Sequence, residues 1–428
     1  ASACLIEDGK IVAAAEEERF RRIKHWAGFP SEAVRYCLSA RGLVLSEIDH
    51  VAINSQPSAN LARRLAFVLR NQPSPRLMWE RLANQSRRLS IDAQLQKIHP
   101  TSKLRAQLHR VEHHTAHLAS CFLVSPFREA VAVSVDGFGD FSSSAWGVGV
   151  EDTFQVDGRI YFPHSLGILY QAITQHLGFP RYGDEYKVMG LAPYGRATYL
   201  PAMRYLVNTK ANGSFSLNLD YFRHHKEKIS LDWDGGIPDV GPLANERLND
   251  LLGPPRSPLE PIEDRHRDLA RSMQEIYEEA LSNLLNVLYD RYQIDDLTLA
   301  GGCAMNSVAN GKVRRMTSFK RLYVQSAAGD AGGALGAAIH VWHSLTDKPA
   351  GAEQDDASAL SGDRMKNRYV MDHAYLGPHY SNEEIADLIE SVSHKLEEAE
   401  VDVERFDSLD EICDETAEAV GNGLVVGW

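Results

Sequence analysis

Three apolar runs in this chain each break off into a turn crowded with glycine, and that pattern restricts the fold more than any other feature. A-V-A-V-S-V at 130–135 leads into D-G-F-G-D at 136–140, L-T-L-A at 297–300 into G-G-C-A-M-N-S, and R-L-Y-V-Q at 321–325 into S-A-A-G-D-A-G-G. Short apolar runs bounded by turn residues read as buried strands. The last two turns feed the helix-like stretches S-V-A-N-G-K and A-L-G-A-A. Strand, glycine turn and helix therefore recur as a unit, which suits a two-lobed α/β protein with a ligand cleft.

Just upstream of the first of these strands stands V-E-H-H-T-A-H, residues 111–117. His113 and His117 are four apart, so on a helix they lie one turn above each other on one face. Two imidazoles so placed can hold one metal ion, and Asp136 adds a hard carboxylate. His114 stands where a zinc protease carries glutamate, so no protease motif is present. The competing reading is plain: histidines satisfied in a core, and a turn that is only a turn. Asp330 sits between a strand and a helix N-terminus, a place that attracts phosphate, and its carboxylate could ligate the metal that neutralises it. Gly137, Gly139, Gly301, Gly302 and Gly332 would let a nucleotide approach the backbone closely, and Asn306 could bond a ribose or phosphate. Cys303 has no positioned base, so it reads as a small buried residue in a tight turn.

The rest of the chain supplies the frame. Residues 3–15 read as a hairpin about Asp8-Gly9. The charge-dense E-E-E-R-F-R-R-I-K-H-W follows at 16–26, where Arg19, Lys24 or His25 could grip an anion at the edge of a lobe. A helix starts at Pro30-Ser31-Glu32, and I-D-H-V-A-I-N at 48–54 reads as a strand. Residues 60–110 read as helical and basic, broken at N-Q-P-S-P. A return strand is expected at 145–150, a helix over 165–178, a polar loop over 183–195 and a mixed insertion over 196–260. A long helix is expected over about 264–292, a linker over 347–368, and two acidic helices over 381–421 before the strand-like G-L-V-V-G-W.

Charge and cysteines narrow the function. The net charge of −13 disfavours nucleic acid as a partner. From Leu61 to Arg110, however, eleven Lys or Arg face two acids, a segment of +9 that leaves −22 for the remainder. Solvated helix faces account for this, and so would a basic flap over a phosphorylated ligand. The five cysteines are scattered and never spaced C-x-x-C, which suits a reducing cytoplasm. No apolar run approaches a membrane span.

Six motifs in order then carry a resemblance: D-G-K-I-V-A-A-A-E-E-E-R-F, V-E-H-H-T-A-H, V-D-G-F-G-D, G-D-E-Y-K-V-M-G-L-A-P-Y-G, G-G-C-A-M-N and G-D-A-G-G-A-L-G-A-A. Together they resemble the NodU/CmcH O-carbamoyltransferases over nearly the whole chain. The resemblance implies a duplicated actin/Hsp70-type ATPase core, called Kae1-like, over residues 1–346. A YrdC-like α/β domain would begin at 369–428. Carbamoyl phosphate and ATP would form carbamoyl adenylate in the YrdC-like domain. A hydroxyl of a natural product, such as an aminoglycoside, would take the carbamoyl group in the Kae1-like site, and AMP would leave. The implied metal is Fe²⁺, with Mg²⁺ as a further ion for the nucleotide. The implied ligands are His113, His117, Asp136 and Asp330. Arg19 and Lys24, with Glu185 and Lys187 of the G-D-E-Y-K motif, would contact substrate or nucleotide. Lys24, Asp140 and His114 are the candidates for catalysis. Family chains carry a further strand and a His-Asp pair before A-S-A and continue past V-V-G-W, so this chain is expected to be a piece of a longer product. The alternatives are an actin/sugar-kinase-like ATPase or phosphotransferase, a Kae1-like tRNA threonylcarbamoyl transferase, and a non-catalytic nucleotide-binding scaffold.

Overall fold

The computed structural model describes residues 1–71, 91–227, 231–232, 235–346 and 368–428. It divides into two units, Ala1–Gly377 and Pro378–Trp428.

At the centre of the first unit is a five-stranded mixed sheet. Its strands are β5 (Glu129–Gly139), β6 (Ser142–Val150), β7 (Thr153–Tyr161), β12 (Asp296–Ala300) and β13 (Arg321–Val324), in the order β13-β12-β5-β6-β7. β5, β12 and β13 run parallel, β6 pairs antiparallel to β5, and β7 antiparallel to β6. Period-two alternation along β5 sorts its side chains between two layers. Val131, Val133 and Val135 face the larger core, which holds the helices Leu166–His176 and Asp264–Tyr292. Each of these buried valines contributes about 1.5–3 kcal/mol through burial. Ala130 and Ala132 face the other layer, with Leu118, Phe122, Leu335 and Ile339. Small strand residues let the helices His113–Phe122 and Gly332–Thr346 settle close to the sheet and to each other. A Cβ on Gly336 would lie 1.8 Å from the Ala116 carbonyl oxygen.

Smaller pairs surround this sheet. β1 (Ser2–Glu7) and β2 (Lys10–Glu16) form the hairpin read at the N-terminus. β3 (His50–Ile53) pairs in parallel with β4 (Gln107–Arg110). β8 (Val207–Thr209) pairs with β9 (Phe215–Leu217), and β10 (Leu231–Asp232) with β11 (Asp239–Val240), inside the mixed insertion. Among the described residues one sheet has five strands, and β1–β2 and β3–β4 stand as separate pairs.

Four local expectations change. Gln107–Arg110, the end of the segment read as helical, is strand β4, held by its pairing with β3. D-G-F-G is not the turn: β5 continues through it to Gly139, and Asp140-Phe141, both at positive φ, make the reversal. The polar stretch 183–195 is largely helical, with a helix at Glu185–Leu191 and a 3₁₀ turn at Ala192–Tyr194. Val188 and Ala192, one turn apart, are buried in the larger core and outweigh the polar composition. The run Leu424–Trp428 pairs with no strand among the described residues.

The linker expected over 347–368 lies outside the described residues except for Arg368, and the middle of the basic segment, 72–90, also lies outside them. Residues 368–377 belong to the first unit, where the Met371 amide donates to the Val124 carbonyl at 2.9 Å. The second unit consists of helices at Asn382–Ser391, Ser393–Glu398 and Leu409–Gly421. Ser381 and Ser408 cap the first and third of these by accepting from Glu384 N and Glu411 N.

Candidate metal centre

The centre forms where the carboxyl ends of the parallel strands meet the first turn of the His113–Phe122 helix. Glu112 caps that helix, accepting from the Thr115 amide at 2.9 Å, and is itself held by Arg159 at 3.0 Å. With the helix start fixed, His113 and His117 share a face. Their Nε2 atoms lie 3.1 Å apart, and both rings are buried. From β5, Asp136 brings Oδ2 to 2.9 Å from His113 Nε2 and 3.5 Å from His117 Nε2. Its other oxygen accepts from the Gly302 amide at 2.8 Å. Asp330, after β13, reaches in from solvent, with Oδ1 3.5 Å and 3.7 Å from the two Nε2 atoms.

Two glycines are required by these contacts. A Cβ on Gly139 would lie 2.0 Å from the His113 ring. Gly301 sits at φ +92°, where its Cβ would meet the Val135 carbonyl oxygen at 2.2 Å. At Gly137, by contrast, a Cβ would point into open space.

The electrostatics are those of a site arranged to take positive charge. Burial alone would raise the Asp136 carboxyl, but the His113 and His117 hydrogen bonds and charge hold it well below the usual carboxylate range. Burial would lower His117, yet Asp136 and Asp330 outweigh it and push it up to about 9. His113 is also raised: Asp136 and Asp330 overcome burial and the neighbouring His117. His114 moves the other way, held well below its ordinary value by burial and then by its two histidine neighbours.

The donor set fits a divalent transition metal. One ligand atom from each of His113, His117, Asp136 and Asp330 can be chosen so that all lie within 4.8 Å of one another. Donors bonded to one ion at about 2.0–2.2 Å stand about 3–4 Å apart, so the widest spacing here would close and the 2.9 Å pair open slightly on binding. Two imidazoles with one close carboxylate match the 2-His-1-carboxylate pattern, with Asp330 as a fourth, solvent-facing donor.

The other expected residues fall into distinct positions. Asp140 organises the loop: Oδ2 accepts from Gln56 N at 2.7 Å and from His113 N at 3.0 Å, and its carbonyl accepts from Asn60 Nδ2 at 2.8 Å. His114 is buried, with Nδ1 2.9 Å from Ser134 Oγ. Asn306 caps the short helix after its turn and exchanges hydrogen bonds with Gln274 at 2.9 and 3.0 Å. Lys187 pairs with Asp184 at 2.7 Å, and Lys24 lies over the Tyr186 ring at 4.4 Å. Arg19 is exposed. Gly332 opens the helix that follows Asp330.

One neighbour went unread in the sequence, as did the burial of another. Burial and then the charges of Asp330, Asp136 and Glu185 push the Tyr182 hydroxyl well above its ordinary value. Glu185, read only as a substrate contact, is pushed up to about 6 by burial. Burial of a carboxylate inside a polar motif leaves no signature in one sequence. Beside the centre, Phe67 of the basic helix Leu61–Asn71 packs edge-on against Phe141 and Phe162 at 5.9 and 5.0 Å, seating that helix on the Asp140 reversal.

A mixed sheet with a histidine–carboxylate cluster that could hold a metal ion at the carboxyl ends of its parallel strands defines the class, an α/β protein with a candidate metal centre. Residues 1–339 match the family described as Carbamoyltransferase N-terminus, and the chain belongs to that family. It is 35% identical over its whole length to the uncharacterised protein sll1178 of Synechocystis sp., covering 66% of that protein. It is 30% identical to the nodulation protein NolNO of Sinorhizobium fredii over 100% of this chain and 55% of that protein. To the nodulation protein NolO of Bradyrhizobium diazoefficiens it is 30% identical over 74% of this chain and 50% of the relative. The chain thus spans half to two thirds of the length of these relatives.

Proposed function

We propose that this chain carries the transfer site of an O-carbamoyltransferase, which moves a carbamoyl group from carbamoyl adenylate to a hydroxyl of a natural product. The observation that carries this reading is the convergence of His113, His117, Asp136 and Asp330 within a chain that matches the carbamoyltransferase N-terminal family. The adenylate would come from carbamoyl phosphate and ATP, with Mg²⁺ on the nucleotide, in the YrdC-like domain whose start we assign to 369–428. Residues 1–346 would then be the Kae1-like domain. Substrates are small molecules in the cytoplasm. The acceptor suggested by the order of the motifs is an aminoglycoside, as in the tobramycin-pathway enzyme that they most resemble.

The four ligands would hold Fe²⁺, which when bound supplies Lewis-acid polarisation of the carbamoyl carbonyl and neutralises phosphate charge. The chain's own residues do the rest. Asp140 fixes His113 and the 55–60 segment, and His114 fixes the helix against Ser134, so both act as positioning residues. Gly137 leaves the space beside Asp136 that a ligand needs. Lys24, Lys187 and Arg19 supply positive charge for the phosphate. Glu185, tuned near neutrality by burial, accepts the proton of the acceptor hydroxyl.

The test supplies preformed carbamoyl adenylate and candidate acceptors to the metal-loaded protein and follows AMP and product by mass spectrometry. Carbamoylated acceptor with one AMP per product supports the reading. With ATP supplied in place of the adenylate, a phosphorylated acceptor would point instead to a phosphotransferase.

A further inference from the structure

The parallel pair β3–β4 closes the excursion of residues 54–106, which carries the basic helix Leu61–Asn71 and the Asp140-binding residues Ser55, Gln56 and Asn60. At this closure stand two histidines, one on each strand. His50 pairs with Gln107 and Ala52 with His109, so His50 and His109 are diagonal neighbours on one face of the ladder. His50 Nδ1 lies 3.0 Å from His109 Nε2, with ring centroids 5.1 Å apart and planes tilted by 56°. His50 is exposed and His109 half-buried, so the pair is open to solvent. Neither takes part in the metal centre described above.

We propose that His50 and His109 form a second, surface metal site for a borderline divalent ion such as Ni²⁺, Cu²⁺ or Zn²⁺. Two imidazole nitrogens on neighbouring positions of an octahedral or square ion, each at about 2.0–2.1 Å, are about 2.9 Å apart. The observed 3.0 Å spacing, held without an ion by a ring–ring hydrogen bond, matches that distance. Burial and the neighbouring His50 lower the His109 pKa, which favours the neutral ring a metal requires. Water would fill the remaining positions. A bound ion would tie β3 to β4 across only four residue pairs and so clip shut the base of the basic excursion.

Ni²⁺ titration of the metal-free protein, counted by equilibrium dialysis and elemental analysis, tests this. The wild type should bind one equivalent more than His50→Ala and one more than His109→Ala, while His394→Ala, a change at an exposed single histidine, should match the wild type. Ni²⁺ should also raise the wild-type Tm by more than it raises that of either variant. Retention of the equivalent at His113/His117 shows that the variants remain folded, and His50→Asn gives a milder second variant. Unchanged stoichiometry in both alanine variants would overturn the proposal, as would an equal loss in His394→Ala.

Discussion

At the scale of single residues, the proposed centre depends on groups outside its four candidate ligands. Asp140 bonds the His113 amide and the Gln56 amide, so it sets where the first ligand sits. Asp140→Ala should leave the circular dichroism spectrum intact and weaken metal binding roughly 10–100-fold, the usual cost of losing an outer-shell partner. Glu185 makes a prediction in pH. Its folded pKa of about 6 exceeds the ordinary 4.5, so between those values the folded state holds more protons than the unfolded state. Stability on this account rises as pH falls from about 6 to 4.5, and above that window the ionised carboxylate costs about 2 kcal/mol. Glu185→Gln should therefore stabilise the protein at pH 7.5 and gain little at pH 4.5, as read by urea unfolding at both pH values. The raised His117 adds a proton count: metal binding near pH 7.5 must displace its proton, which calorimetry in buffers of different ionisation enthalpy will detect.

Elements hold these residues through their ends. The His113–Phe122 helix is capped at its start by Glu112 and held at its finish by Arg368. The Arg368 guanidinium donates to the carbonyls of Phe127 at 2.8 Å and Glu151 at 2.6 Å and also to those of Leu123 and Phe122. Arg368→Ala should cost roughly 1–3 kcal/mol in chemical denaturation by removing the guanidinium donor from these carbonyls, of which Phe122 keeps its bonds from Ser125. Much of this level was legible in the sequence. The Asp264–Tyr292 and Leu166–His176 helices and the strands β5, β6, β12 and β13 follow from apolar period and glycine punctuation. The reversal at Asp140-Phe141 was not legible, because D-G-F-G looks like a turn until β6 pairs with it. The helix at Glu185–Leu191 was hidden because only its contact with the larger core outweighs its polar residues. The clamp by Arg368 joins residues more than two hundred positions apart, and nothing local announces it.

For the whole molecule, the order of motifs carried more than any one of them. His113, His117, Asp136 and Asp330 are spread over more than two hundred residues, yet the parallel strands β5, β12 and β13 bring their turns to one end of one sheet. That convergence was readable because the Asp136 and Asp330 motifs each followed a strand and the histidine motif directly preceded one, and strand ends gather ligands in α/β sheets. The proposed acceptor was not readable in the same way, since no local motif in the basic excursion or the 196–260 insertion names one. No helix among the described residues is long and apolar enough to cross a membrane. The central claim is that these four side chains hold one functional metal ion. Anaerobic Fe²⁺ loading followed by elemental analysis of the wild type and of the His113→Ala/His117→Ala variant tests it most directly. The account predicts about one tightly held iron per wild-type chain and almost none in a folded double variant; equal iron in the two would contradict it.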